Sequence, residues 1–131
     1  MNTAVVNAFL AAAAKRDYET ALPLVTDDVE YQNMMLPAVH GKEAMVETLE
    51  MMLTMCSDSE WVVLREVAAG DLVMNERVDR FTLSTGGGVT SDLPVAGVFT
   101  LRDGQISVWH DYFDLQTIMT AMAAAGTIPE A

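Results

Sequence analysis

Two short polar strings carry the residues of this chain best equipped for chemistry: Asn75–Phe81, NERVDRF, and Trp109–Leu115, WHDYFDL. As a strand, the first alternates with period two, so Asn75, Arg77, Asp79 and Phe81 share one face and Glu76, Val78 and Arg80 the other. A half-buried strand has one apolar face, so Arg77 and Asp79 either lie in solvent or are buried and paired. We take the second reading. Stripping a buried ion of its partner costs on the order of 3–5 kcal/mol, which obliges Arg77 to find one. In the second string Trp109, Asp111 and Phe113 share a face, with His110 and Tyr112 opposite. An Asp between two aromatics is expected to be buried, and the planar fork of Arg77 can hold Asp79 and Asp111 at once.

Two carboxylates around one guanidinium leave net negative charge, so like charge and desolvation raise one acid's pKa until it keeps its proton near neutrality. An ionised acid beside a protonated one is the pairing that general acid–base catalysis uses. Tyr31 and Asn33, two residues apart in VEYQN, add a hydroxyl and an amide able to hold a water against the ionised Asp. The spacing fits equally a structural salt bridge with two polar residues at its rim, and the residues alone leave both readings open.

Positioning such a set needs a core. The 131 residues predict a single domain over residues 1–131, with enough length to bury about two-thirds of the unfolded surface. Ten methionines against 7% aromatics predict irregular apolar packing, as gap-filling or as pocket lining. A formal charge of −12 repels phosphate backbones and anionic lipid and argues against a nucleic-acid partner. No apolar run reaches the ~20 residues of a membrane span, and AVVNAFLAAAA lacks a preceding Lys or Arg and is broken by Asn7, so a cytoplasmic protein is expected. Cys56 is alone and reads as a small buried hydrophobe on a helical stripe.

Helical spacing of Val6, Phe9, Leu10 and Ala13 predicts a helix over residues 3–15. A second begins near Asp17, turns Tyr18, Ala21, Leu22 and Val25 inward, and bends or ends at Pro23. Thr26-Asp27-Asp28 reads as a turn, Val29–Asn33 as a strand closed by Leu36-Pro37, and Met45, Leu49, Met52, Leu53 and Cys56 as the stripe of a helix starting near Lys42 and running through Met55. Strands are predicted at Trp61–Ala69, Leu72–Leu83, Val89–Leu101 and Gln105–Phe113, the third containing Pro94 and therefore at an edge or a bulge. A helix over Leu115–Ala125, capped by Asp114, closes the chain. The fold class is α+β, a curved, antiparallel-rich sheet wrapped over N-terminal helices.

YQNMMLPAVHG, NERVDRF and WHDYFDL, in this order and separation, resemble the limonene-1,2-epoxide hydrolase family from about Val5 to Ile118. The resemblance implies the cone-shaped mixed sheet shared with nuclear-transport-factor-2-like, SnoaL-like and ketosteroid-isomerase-like proteins. It makes Asp111 the base that deprotonates water, Asp79 the acid that protonates the opening epoxide oxygen, Arg77 the bridge between them, and Tyr31 and Asn33 the holders of the water. Met52, Phe81, Leu93, Val95 and Ile118 match apolar wall positions of the family pocket, which agrees with their own reading as sheet-face and helix-face core. The implied reaction turns a small apolar epoxide and water into a vicinal diol in one displacement, without a covalent ester, metal or organic cofactor, in a homodimer formed through the open sheet face. His40, Met35 and His110 stand where the family often has Tyr, Pro and Arg. His40 is expected as a loop residue and His110 as an outward strand residue. Two other readings fit the same shape: isomerase or cyclase chemistry on a steroid- or polyketide-like substrate, and a non-catalytic carrier of apolar ligands.

Overall fold

The computed structural model describes residues 1–126. Helix α1, Asn2–Ala14, buries Val6, Phe9, Leu10 and Ala13, the i, i+3, i+4, i+7 stripe of an amphipathic helix. Asp17 caps α2, Tyr18–Ala21, by accepting from the Thr20 amide, and a 3-10 turn at Leu22–Leu24 follows, with Pro23 in its first turn, where a missing N–H costs nothing. Strands β1, Val25–Asn33, and β2, Val39–His40, lead to α3, Lys42–Leu53. Then come β3, Cys56–Ala69, β4, Leu72–Leu83, β5, Thr90–Arg102, and β6, Gln105–Phe113, before α4, Leu115–Ala124.

The strands form one sheet in the order β2-β1-β6-β5-β4-β3. From β3 to β6 it is an antiparallel meander with two tight turns. Gly70, with φ 58°, opens the first, and Asp103 and Gly104, with φ 52° and 79°, form the second, the left-handed backbone that two-residue hairpins favour. On the far side β1 joins β6 in parallel, with Tyr31 beside Trp109 and Asn33 beside Asp111. The fold is therefore α+β, a mixed sheet packed against the N-terminal helices. Alternation along β4 and β5 buries Val73, Asn75, Arg77, Asp79, Phe81 and Leu83, with Ser91, Leu93, Val95, Gly97, Phe99 and Leu101, and exposes most of the residues between. Trp109, 1% exposed, is the aromatic centre of the core. Tyr31 stacks on it at 4.2 Å and Phe9 meets it edge-on at 5.1 Å.

Several expectations are corrected. Thr26-Asp27-Asp28 is strand rather than turn: Val25 and Thr26 are buried, and Asp28 meets Arg102 at 2.6 Å. The pairing of β1 with β6 slips between Val25 and Glu30, so a bulge takes up the irregularity. His40 is not in a loop but in β2, paired with Glu30 on β1. Helix α3 ends at Leu53, so Met55 and Cys56 leave the helical stripe and Cys56 opens β3, its thiol donating to the Met52 carbonyl at 3.4 Å. Pro94 is tolerated because β6 stops opposite Val95, which leaves β5 locally at an edge. The capping role of Asp114 is observed, through the Gln116 amide. No helix among the described residues is long and apolar enough to cross a membrane.

Phe9 is fully buried against Trp109, so Phe9→Ala should cost about 3–5 kcal/mol of unfolding free energy, read as a lower denaturant midpoint with unchanged slope.

Candidate active site

The sheet registers bring the polar residues together. Asn75 on β4 pairs with Gly97 on β5, Gly97 with Asp111 on β6, and Asp111 with Asn33 on β1, one row across four strands. Arg77, two residues on from Asn75, extends its side chain over this row with no solvent exposure. Its Nε donates to Asp79 Oδ1 at 2.8 Å, and its Nη2 to Asp79 Oδ2 at 3.2 Å and to Asp111 Oδ2 at 2.5 Å. The guanidinium thus holds both acids, as its planar fork allows. Nη1 donates to Asn75 Oδ1 at 3.4 Å, and the Trp61 ring lies 5.9 Å from the guanidinium carbon. Asp111 Oδ1 accepts from the Trp109 indole at 2.7 Å. Tyr31 donates its hydroxyl to Asn33 Oδ1 at 3.2 Å, which leaves the Asn33 amide group free to act as a donor.

Burial shapes the charge states. Loss of solvent pushes the Asp79 carboxyl up to about 6, against the pull of Arg77 and with help from the charge of Asp111. Burial alone would lower the pKa of Arg77, but the charges of Asp111 and Asp79 outweigh it and the net shift is upward, so the cation persists. Burial, then the charge of Asp111, raises Tyr31 and keeps it a neutral hydroxyl. Asp79 therefore exchanges its proton within reach of neutral pH, which suits a general acid.

These groups form the polar floor of a cavity of 340 Å³, into which Tyr31, Asn33, Asp79 and Asp111 all face. Its walls are apolar, with Met51, Met52 and Met55 from α3 and the segment after it, Met119 and Met122 from α4, and Leu36, Leu49 and Leu53. Half of the chain's ten methionines thus line one space, which makes the wall soft and adaptable. Of the residues expected there, Met52, Phe81, Leu93 and Ile118 line the cavity. Val95 does not. It pairs with Arg77 on one side and Phe113 on the other and packs within the core.

Trp109, Asn75 and Gly97 belong to the site's geometry and were not singled out from the sequence. Trp109 and Asn75 stand two residues from Asp111 and Arg77 on the same faces, so alternation carried the signal. Gly97 has no such marker. His110 faces outward as expected, 2.6 Å from Glu30, which also meets His40 at 3.0 Å. Hydrogen bonds from His110 and then His40 lower the pKa of Glu30. Among the described residues no group of three or more His, Cys, Asp or Glu is arranged to hold a metal ion.

The family model of the limonene-1,2-epoxide hydrolase catalytic domain matches residues 1–124. Epoxide hydrolase EphG of Mycobacterium tuberculosis is 32% identical over 110 residues, which cover 84% of this chain and 71% of that protein. The solved structure of an M. tuberculosis limonene-epoxide-hydrolase-like epoxide hydrolase superposes with a TM-score of 0.79 at 27% identity, over 96% of this chain and 92% of the other. A protein from Jannaschia sp. CCS1 described as a SnoaL-like polyketide cyclase gives a TM-score of 0.83 at 22% identity, over 94% and 92% of the two chains, a likeness of fold alone.

The raised pKa of Asp79 sets a pH dependence of stability. The folded chain binds the proton more tightly than the unfolded one, so this group stabilises the fold at low pH, and its contribution is lost as pH rises from about 4 through about 6. Asp79→Asn removes that loss. Relative to the parent, the variant should gain up to about 3 kcal/mol between pH 4 and pH 7 in denaturant unfolding, the equivalent of the shift.

Proposed function

The chain belongs to the limonene-1,2-epoxide hydrolase family, and from that membership and the geometry around Arg77 we propose that it adds water to a small apolar epoxide to give a vicinal diol. The observation that carries this reading is the guanidinium of Arg77 holding Asp79 and Asp111 together at the floor of an apolar cavity. A water seated among Asp111, Asn33 and Tyr31 accepts from the Asn33 amide and donates to Asp111 and to the Tyr31 oxygen. One lone pair is left for attack. As the water oxygen bonds to an epoxide carbon, Asp111 takes its proton, the carbon–oxygen bond of the ring breaks, and Asp79 gives its own proton to the leaving oxygen. Arg77 keeps the two acids at fixed separation and offsets their charge. The next cycle needs one proton moved from Asp111 to Asp79.

The apolar walls favour a hydrocarbon body with the epoxide as its polar end, and the proposed reaction draws on no cofactor. Isomerase or cyclase chemistry built on a lone base would have no use for a guanidinium shared between two carboxylates, and a carrier would have no use for a proton poised near neutrality. The partner in this reading is a second copy of the chain. The outward face of the sheet carries Met74, Val98 and Tyr112, of which Met74 and Tyr112 are 43% and 47% exposed. Pairing of two such faces would cover them.

Asp111→Asn and Asp79→Asn should each lower diol formation by roughly 10²–10⁴-fold while far-ultraviolet dichroism stays that of the parent. Single turnover in ¹⁸O water should label the diol; label carried on Asp111 would mean an ester intermediate and a different mechanism. Sedimentation should give twice the 14.2 kDa chain mass, and Val98→Glu should return the chain mass itself.

A further inference from the structure

Gly97 lies in the interior of β5, between Asn75 on β4 and Asp111 on β6. A glycine there lacks a side chain to pack and weakens the strand, which marks the place as one where something approaches the backbone closely. Its own backbone does not call for glycine, because its φ lies outside the left-handed region where Gly70 and Gly104 sit. Space calls for it. A β-carbon on Gly97 would stand 2.5 Å from Arg77 Nη1, 2.7 Å from Asn75 Oδ1 and 2.9 Å from Phe99 Cε1. The first two atoms are the end of the guanidinium and the acceptor that holds it.

The guanidinium starts on β4 and ends against a carboxylate of β6, so it must cross β5. It passes close over the sheet at the one inward position of that strand without a side chain, while the inward neighbours on either side, Val95 and Phe99, are full-sized. We propose that Gly97 is a positioning residue, whose missing side chain is the gap through which Arg77 reaches Asp111 while still holding Asp79. This rests on the epoxide-hydrolase reading for its catalytic meaning. A methyl group in the gap forces the guanidinium off the sheet, stretches Nη2 from Asp111, and leaves the acid and the base without their common anchor.

The test is Gly97→Ala, a change that ordinarily leaves an extended strand as stable or more so. Turnover should fall about 100-fold with KM within about threefold, because misplacement of about 1 Å acts on the reacting groups rather than on the apolar walls. The basic limb of the rate profile should move to higher pH, since Asp79, less well neutralised by Arg77, holds its proton longer. The denaturation midpoint should drop in the parent background and much less in Arg77→Lys, where Nη1 is gone and Asn75 is free to turn aside. A structure of Gly97→Ala should show Nη2 beyond about 3.5 Å from Asp111. Activity within about threefold of the parent, an unmoved fork, or an equal midpoint drop in both backgrounds would each overturn the proposal. If the parent opens no epoxide, the proposed function fails, and the double-mutant cycle and the variant structure decide the role of Gly97 alone.

Discussion

A cation without solvent governs this molecule. Arg77 is buried to 1% exposure, and among the described residues the full charges in hydrogen-bond contact with it are the carboxylates of Asp79 and Asp111. Removing Arg77 would leave two buried carboxylates without their common partner, whereas removing one carboxylate leaves a neutral ion pair. The same economy creates reactivity. Two acids facing one cation cannot both be fully neutralised, and loss of solvent drives Asp79 toward its protonated form against the pull of Arg77. Structure and acid–base poise are thus one interaction seen from two sides.

Everything that meets this cation arrives by strand register. Asn75, Gly97, Asp111 and Asn33 form a line across four strands, and a slip of one residue in any of them would turn its member to the outer face. The aromatic cluster around Trp109 helps to fix that register. Its ring packs between Tyr31 and Phe9 while its indole nitrogen holds Asp111, so one side chain ties the core to the site.

Much of this was legible because alternation in a strand is a local property. NERVDRF and WHDYFDL each placed their charged residues on a face correctly, and β4 and β6 begin and end where the pattern of apolar residues and turns put them. Features decided by distant residues were not legible. The parallel pairing of β1 with β6, which sets Asn33 beside Asp111, joins segments about eighty residues apart and leaves no trace in either. The strand through Asp27 and Asp28 looks like a turn until Arg102, from a hairpin far along the chain, is set against it. Val95 alternates like a pocket residue, yet cavity and core share that face and alternation does not separate them. Gly97 reads as an unremarkable strand glycine until a guanidinium from the neighbouring strand is laid over it.

The parallel seam between β1 and β6 also orders events in time. A ribosome delivers Val25–Asn33 before Gln105–Phe113, so until the last strand is made this segment has no β6 to pair with and its β6-facing backbone edge has no partner strand. Such an edge invites pairing with other chains until the last strand arrives to shut it. The stretch that brings Tyr31 and Asn33 to the floor of the cavity is therefore also one that gains from protection during synthesis.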